Sequence, residues 1–153
     1  MKCKILVIED NQKHLEDAKK YFADKQEVDV VYAENYSEAK GSMIKWDFDA
    51  NKEVKGDIDG IIADIYFPLS EEKRWNQPEP IGVRVAIEAI KLGIPFVLNT
   101  AGFHHGRKYE WINGLARGQG WDLVDPEDHR DYEKDAVAKN WEKAYENLEA
   151  KLK

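Results

Sequence analysis

The chain has 153 residues, one cysteine and a formal net charge of -7. That length fits one domain with its own core, and the acidic balance excludes broad electrostatic attachment to nucleic acid or anionic membrane, which both need positive charge. A single cysteine excludes an internal disulfide and suits the cytoplasmic location expected here; no apolar stretch approaches the ~20 residues of a membrane span, and no signal peptide is expected.

In chain order, Cys3 to Ile8 (CKILVI) is short, branched and apolar on both faces, as a strand covered on both sides should be. Cys3 reads as a buried structural thiol. Glu9, Asp10 and Asn11 follow, and then a helix over Gln12 to Lys25 with Leu15, Ala18, Tyr21 and Phe22 on one stripe. Val28 to Tyr32 is a second strand. Ser37 is expected to open a short helix through Met43, Ile44 and Trp46, with a polar loop or helix extension over 47–57.

Gly60 to Ile65 is the third strand. The connection from Phe67 to Pro80 contains Pro68, Pro78 and Pro80, which exclude a regular helix. Val83 to Leu92 is helical, with Val83, Ala86, Ile87 and Ile90 on one face and Gly93 as its stop. Ile94 to Leu98 is the fourth strand. His104 and His105 read as a solvated loop, and Tyr109 to Arg117 as a short helix. Trp121 to Val124 is the fifth strand, and the last helix is expected over Tyr132 to Leu152.

Five strands alternating with helices imply parallel pairing and helices on both faces. The expected fold is therefore α/β: a flavodoxin-like, doubly wound (βα)5 sheet with strand order 2-1-3-4-5, forming a single domain over residues 1–153. In such a sheet a site forms beyond the C-terminal strand ends. Glu9 and Asp10 end the first strand, Asp64 the third, Asn99 and Thr100 the fourth, and Asp125 the fifth. Glu9, Asp10 and Asp64 should converge. Their mutual repulsion raises at least one pKa unless a cation joins them, and a hard divalent ion such as magnesium suits oxygen ligands. An Asp so placed can act as a nucleophile towards phosphorus, with the Thr100 hydroxyl donating to a phosphoryl oxygen.

At these residues the sequence resembles a response-regulator receiver domain of the CheY-like family, over nearly the whole chain. KILVIEDN resembles the first strand with its acid pair. DGIIADIYFP resembles the phosphoacceptor strand, PFVLNTA the strand with the hydroxyl residue, and GLARGQGWDLVDP the segment before the last helix. The resemblance implies a stand-alone receiver in phosphorelay signalling, without a separate output domain and not an enzyme. Asp64 would be the phosphoacceptor. Mg2+ would be held by Asp10, Asp64 and the Tyr66 backbone carbonyl, with Glu9 acting through water, and Thr100 would bond the phosphoryl group. The implied partners are a histidine kinase or phosphotransfer protein and a downstream protein target, with a homodimer through the last two helices.

Two positions depart from the family pattern. The family's lysine falls at Asp125 and its switch aromatic at Asp122, with Trp121 beside it. A charge reversal ~4 Å from a phosphoryl group costs roughly 4 kcal/mol at an effective dielectric of 20. Arg107 or Lys108 is the expected replacement cation. The alternative function is a receiver-like binding module that works without phosphorylation. A phosphatase with an Asp nucleophile ranks last, because its usual second Asp is Tyr66 here. The 70–80 insertion, with Trp75, reads equally as an exposed variable loop or as a segment that covers the acidic pocket or meets a partner.

Overall fold

A computed structural model describes residues 2–76, 79–101, 107–126 and 138–153, the side chains of 107–109 excepted. Among the described residues, seven strands and five helices run in the order β1 (Cys3–Ile8), α1 (Gln12–Ala23), β2 (Val28–Ala33), α2 (Tyr36–Met43), β3 (Ile44–Asp47), β4 (Lys52–Lys55), β5 (Gly60–Ala63), α3 (Ile81–Leu92), β6 (Phe96–Asn99), α4 (Arg107–Gln119), β7 (Leu123–Val124) and α5 (Trp141–Leu152). A 3-10 turn over Glu71–Lys73 lies between β5 and α3.

The main sheet has the order β2-β1-β5-β6-β7 and is parallel throughout. In terms of its own five strands this is 2-1-3-4-5, the doubly wound order expected. Alternation along each strand sorts the core into two layers. Leu6, Ile8, Ile61, Ala63 and Leu98 pack under α2, α3 and α4 with Met43, Val85 and Ile112. Ile5, Val7, Ile62, Val97 and Val124 pack under α1 and α5 with Phe22, Trp141, Tyr145 and Leu148. Gly60 permits that second contact, since a Cβ there would lie 2.9 Å from Leu148.

Asparagine opens three helices, its side chain accepting from a backbone N–H three residues on: Asn11 from His14 at 3.2 Å, Asn35 from Glu38 at 2.9 Å, and Asn140 from Lys143 at 3.0 Å. Asn35 thus starts α2, and Ser37 lies within it. Gly93, at φ 71°, ends α3 as expected.

Three expectations are revised. Residues 47–57 are neither loop nor helix extension: they belong largely to an antiparallel hairpin in which Ile44 faces Lys55 and Asp47 faces Lys52. The Asp47 carboxylate accepts from the N–H groups of Asp49 and Ala50, and Asn51 takes a left-handed φ of 52° to close the turn. Trp46 is therefore a strand residue. In α3 the buried face is Ile81, Val85, Ala86 and Ala89, while Ile87 and Ile90 are exposed; the 3.6-residue period fitted either stripe. The last helix begins at Trp141, and residues 138–140 are non-helical. Cys3 is half-buried rather than buried.

Among the described residues, no helix is long and apolar enough to cross a membrane.

Candidate functional site

The sheet brings three carboxylates to one place. One ligand oxygen from each of Glu9, Asp10 and Asp64 lies within 4.8 Å of the others. The register causes this. β1 and β5 are adjacent, with Ile8 opposite Ala63, so the next residue on each strand is Glu9 and Asp64. The Asp64 N–H still donates to the Ile8 carbonyl at 3.0 Å. Asp10 follows where the chain leaves β1 for α1.

Behind the site the packing is tight. The Gly82 N–H donates to the Ile65 carbonyl at 2.8 Å. A Cβ on Gly82 would stand 2.2 Å from the Asp64 carbonyl oxygen and 2.7 Å from the Ile65 Cα. Glycine at the first turn of α3 is what lets that helix sit against the strand end. The Asp64 Oδ1 accepts from the Ile65 N–H at 2.7 Å, which fixes the carboxylate.

Sequence reasoning missed a fourth member. Lys139, two residues before α5, sends its side chain into the site and is 99% shielded from solvent there. Its Nζ lies 2.8 Å from the Glu9 Oε2 and 3.3 Å from the Asp64 Oδ1. The expectation of a site without its lysine is therefore corrected. Asp125 does end β7, half-buried, but the cation comes from after the 127–137 segment rather than from the strand. The side chains of Arg107 and Lys108, the expected replacements, lie outside the described residues, as do His104 and His105.

Charge and burial set the titration of the cluster. Burial pushes Glu9 well above the usual carboxylate range; the Lys139 ammonium pulls it down and the Asp64 charge pushes it up. Burial and the neighbouring Asp64 raise Asp10 to about 6. Burial alone would lower Lys139, but Asp64 and Glu9 outweigh it and the pKa lies above the ordinary lysine value. Burial and the Lys139 charge hold His14, on the inner face of α1, below the usual imidazole range. The ammonium is thus the stable form of Lys139. With all four groups charged, the cluster carries a net charge of -2, which one divalent cation neutralises. The Glu9 Oε1 is buried without a hydrogen-bond partner among the described residues, and buried polar atoms are seldom left so. Three oxygen donors, the residual charge and this oxygen all fit a hard divalent ion.

Thr100 is buried at the end of β6, its N–H donating to the Val124 carbonyl at 3.0 Å. Tyr66 lies half-buried in the turn after Asp64. Asp122 pairs with Lys151 of α5 at 3.0 Å. Trp121 meets Phe96 edge to face, with ring centroids 5.8 Å apart. Of the apolar residues of α4 and α5, Ile112, Trp141 and Tyr145 are core, and Trp111 is half exposed.

The insertion borders the site. The Pro68 and Leu69 carbonyls accept from the N–H groups of Tyr36 and Ser37, both at 3.0 Å, and Phe67 bridges Glu79. A cavity of about 260 Å3 opens between this segment and Asp10, with Lys73, Arg74 and Asn76 on its wall. Trp75 projects outward, 83% exposed, under the Arg74 guanidinium at 4.5 Å.

No protein-family profile matches the chain, and no curated protein matches it. Among solved structures, the chain is similar to the crystal structure of a signal receiver domain from Vibrio parahaemolyticus, with a TM-score of 0.56 at 15% identity, over 99% of this chain and 91% of that one. The sheet order, the two-sided helical cover and this likeness together establish that the chain has the fold of a signal receiver domain.

Proposed function

We propose that the chain is an atypical receiver in phosphorelay signal transduction, accepting a phosphoryl group on Asp64 and signalling by contact with another protein. One observation carries the reading: three carboxylates converge within 4.8 Å, with the Lys139 ammonium 3.3 Å from Asp64. A lone acidic cluster would be unremarkable. Acids with a buried lysine at the mouth of a doubly wound sheet make an electrostatic cradle for a phosphoryl group.

The roles divide by atom. The Asp64 Oδ1 is committed to the Ile65 N–H and to Lys139, so transfer is assigned to Oδ2. An Oδ2–phosphorus bond forms as the phosphorus–nitrogen bond of a phosphohistidine donor breaks, and the imidazole leaves. Lys139 donates to a phosphoryl oxygen, and the Thr100 hydroxyl to another. Asp10, Asp64 and the Tyr66 carbonyl would hold the metal, and the Glu9 Oε1, without a hydrogen-bond partner among the described residues, would act on it through water. A bound Mg2+ would offset charge on the phosphoryl oxygens. The donor is a histidine kinase or phosphotransfer protein. The reader is a protein target on the α4–β7–α5 face, where the exposed Trp111 marks a contact and a homodimer would form. The expected location is the cytoplasm, with no enzymatic turnover.

Asp122 supports a second reading, a binding module that works without phosphorylation. At the family's aromatic position it is held by Lys151 and cannot act as a rotating ring.

Intact mass after incubation with acetyl phosphate and MgCl2 separates the two. A single phosphate adduct on the wild type and none on Asp64→Asn is the expected result. Absence of the adduct from the wild type removes the phosphoacceptor reading and leaves the second.

A further inference from the structure

Asn99 is fully buried, yet neither its amide oxygen nor its amide nitrogen has a hydrogen-bond partner among the described residues. A buried amide left so is costly, so its presence calls for an explanation beyond packing.

The sheet register supplies one. Ile8, Ala63 and Leu98 stand opposite one another on β1, β5 and β6, so the next residues, Glu9, Asp64 and Asn99, form one row across three adjacent strands. Their side chains continue the face of Val7, Ile62 and Val97, which lies under α1 and α5. Neighbouring strands are ~4.8 Å apart. The Lys139 stem enters on this same face, just before α5, and its ammonium rests on the first two members of the row, Glu9 and Asp64. Asn99 is the third member, beside Asp64 on the side away from Glu9. An ammonium has three protons to donate, and the two carboxylates account for two.

We propose that Asn99 is a positioning residue: its amide oxygen is a second seat for the Lys139 ammonium when Asp64 is neutralised or occupied. In the present arrangement the lysine is the counter-ion of Asp64. A divalent cation on Asp64 repels the ammonium, which then keeps Glu9 and turns from the Asp64 Oδ1 to the Asn99 Oδ1. A polar acceptor there lets the lysine yield to the metal without losing a hydrogen bond inside the protein. A leucine or valine would force it to give one up. The consequence for metal binding rests on the function proposed above; the relocation itself does not.

Two-dimensional NMR of the Asn99 side-chain amide tests this, its resonances identified by their loss in Asn99→Leu. In Asp64→Ala, without metal, the ammonium should move to Asn99 and shift these resonances downfield. The shift should vanish when Lys139→Met is added. An equal shift in both backgrounds overturns the proposal. Should the Lys139→Met chain fail to fold, a nuclear Overhauser contact between the Lys139 Hε protons and the Asn99 amide in Asp64→Ala decides instead, and its absence is equally fatal. In the second arm, MgCl2 is titrated into wild type and Asn99→Leu. The variant should be at least as stable as wild type yet bind Mg2+ about tenfold more weakly, the value of one hydrogen bond to a charged group. Unchanged affinity overturns the role in metal binding. If wild type itself shows no response to Mg2+, the metal reading fails while the Asp64→Ala result still decides the relocation.

Discussion

The Lys139 ammonium lies 2.8 Å from a Glu9 carboxylate oxygen, although 130 positions separate the two residues in the chain. Both side chains are removed from solvent. Such a pair gains little over a well-packed apolar substitute, but removing one partner leaves an uncompensated charge inside the protein. Its retention therefore points to use of the charge itself, and its consequences can be measured.

Lys139→Met should lower stability by about 3–5 kcal/mol in metal-free buffer, because Glu9 and Asp64 lose their shared counter-ion. Mg2+ should restore more stability to this variant than to wild type, since the metal no longer competes with an ammonium 3.3 Å from a ligand oxygen. Urea unfolding with EDTA and with MgCl2 reads both effects. Equal Mg2+ stabilisation of the two proteins would refute the competition.

Asp10 titrates near 6, raised from 3.8 by burial and by Asp64. The unfolded chain releases this proton at the lower pH and the folded chain holds it to the higher. Between about pH 4 and pH 6 the folded state binds more protons, so this group's contribution to stability falls as pH rises through that window. A divalent cation needs the ionised form. Mg2+ affinity should therefore drop as pH falls through about 6, and Asp10→Asn should flatten that dependence, read by titration calorimetry at several pH values.

Gly82→Ala places a methyl group 2.2 Å from the Asp64 carbonyl oxygen. Because the obstacle is backbone, α3 or the strand end must shift. A loss of about 1–3 kcal/mol is expected, together with a lower yield of any Asp64 adduct. Gly114→Ala, where a Cβ meets nothing within 4 Å, is the control and should be neutral or slightly stabilising in thermal melts.

Asp122→Ala should change stability by less than about 1 kcal/mol, since its pair with Lys151 is more than a third exposed on both sides. A larger loss in chemical unfolding would mean that this pair fastens α5 to β7 more firmly than its exposure implies.

Much of the fold could be read from the sequence because its main signals are local. Short apolar runs between amphipathic stretches marked the five core strands, and acids at successive strand ends placed Glu9, Asp10 and Asp64 in one pocket. The β3–β4 hairpin escaped because its strands are four residues each and mostly charged, so their alternation is faint. Apolarity alone does not pick the inward face of α3, because Ile87 and Ile90 are exposed yet as apolar as the residues that turn inward. Lys139 was illegible for a different reason. The sequence points to the strand end at Asp125, whereas the ammonium arrives from residues 138–140, which belong to neither strand nor helix. Asn140 before Trp141 was the available signal: a capping residue there starts the helix late and leaves the preceding lysine free to reach back.

The reach of Lys139 also constrains the order of assembly. β1 is an inner strand of the sheet, yet among the described residues its Glu9 is paired with a lysine 130 positions further along the chain. Until Lys139 docks, Glu9 and Asp64 repel each other, and a chain that lacks this residue must leave that corner open to water. Contacts between such distant positions form slowly, because a long loop must close before they reward it. Completion of the charged site thus waits on a long-range closure, and a fragment ending before residue 139 should stay loose at that corner.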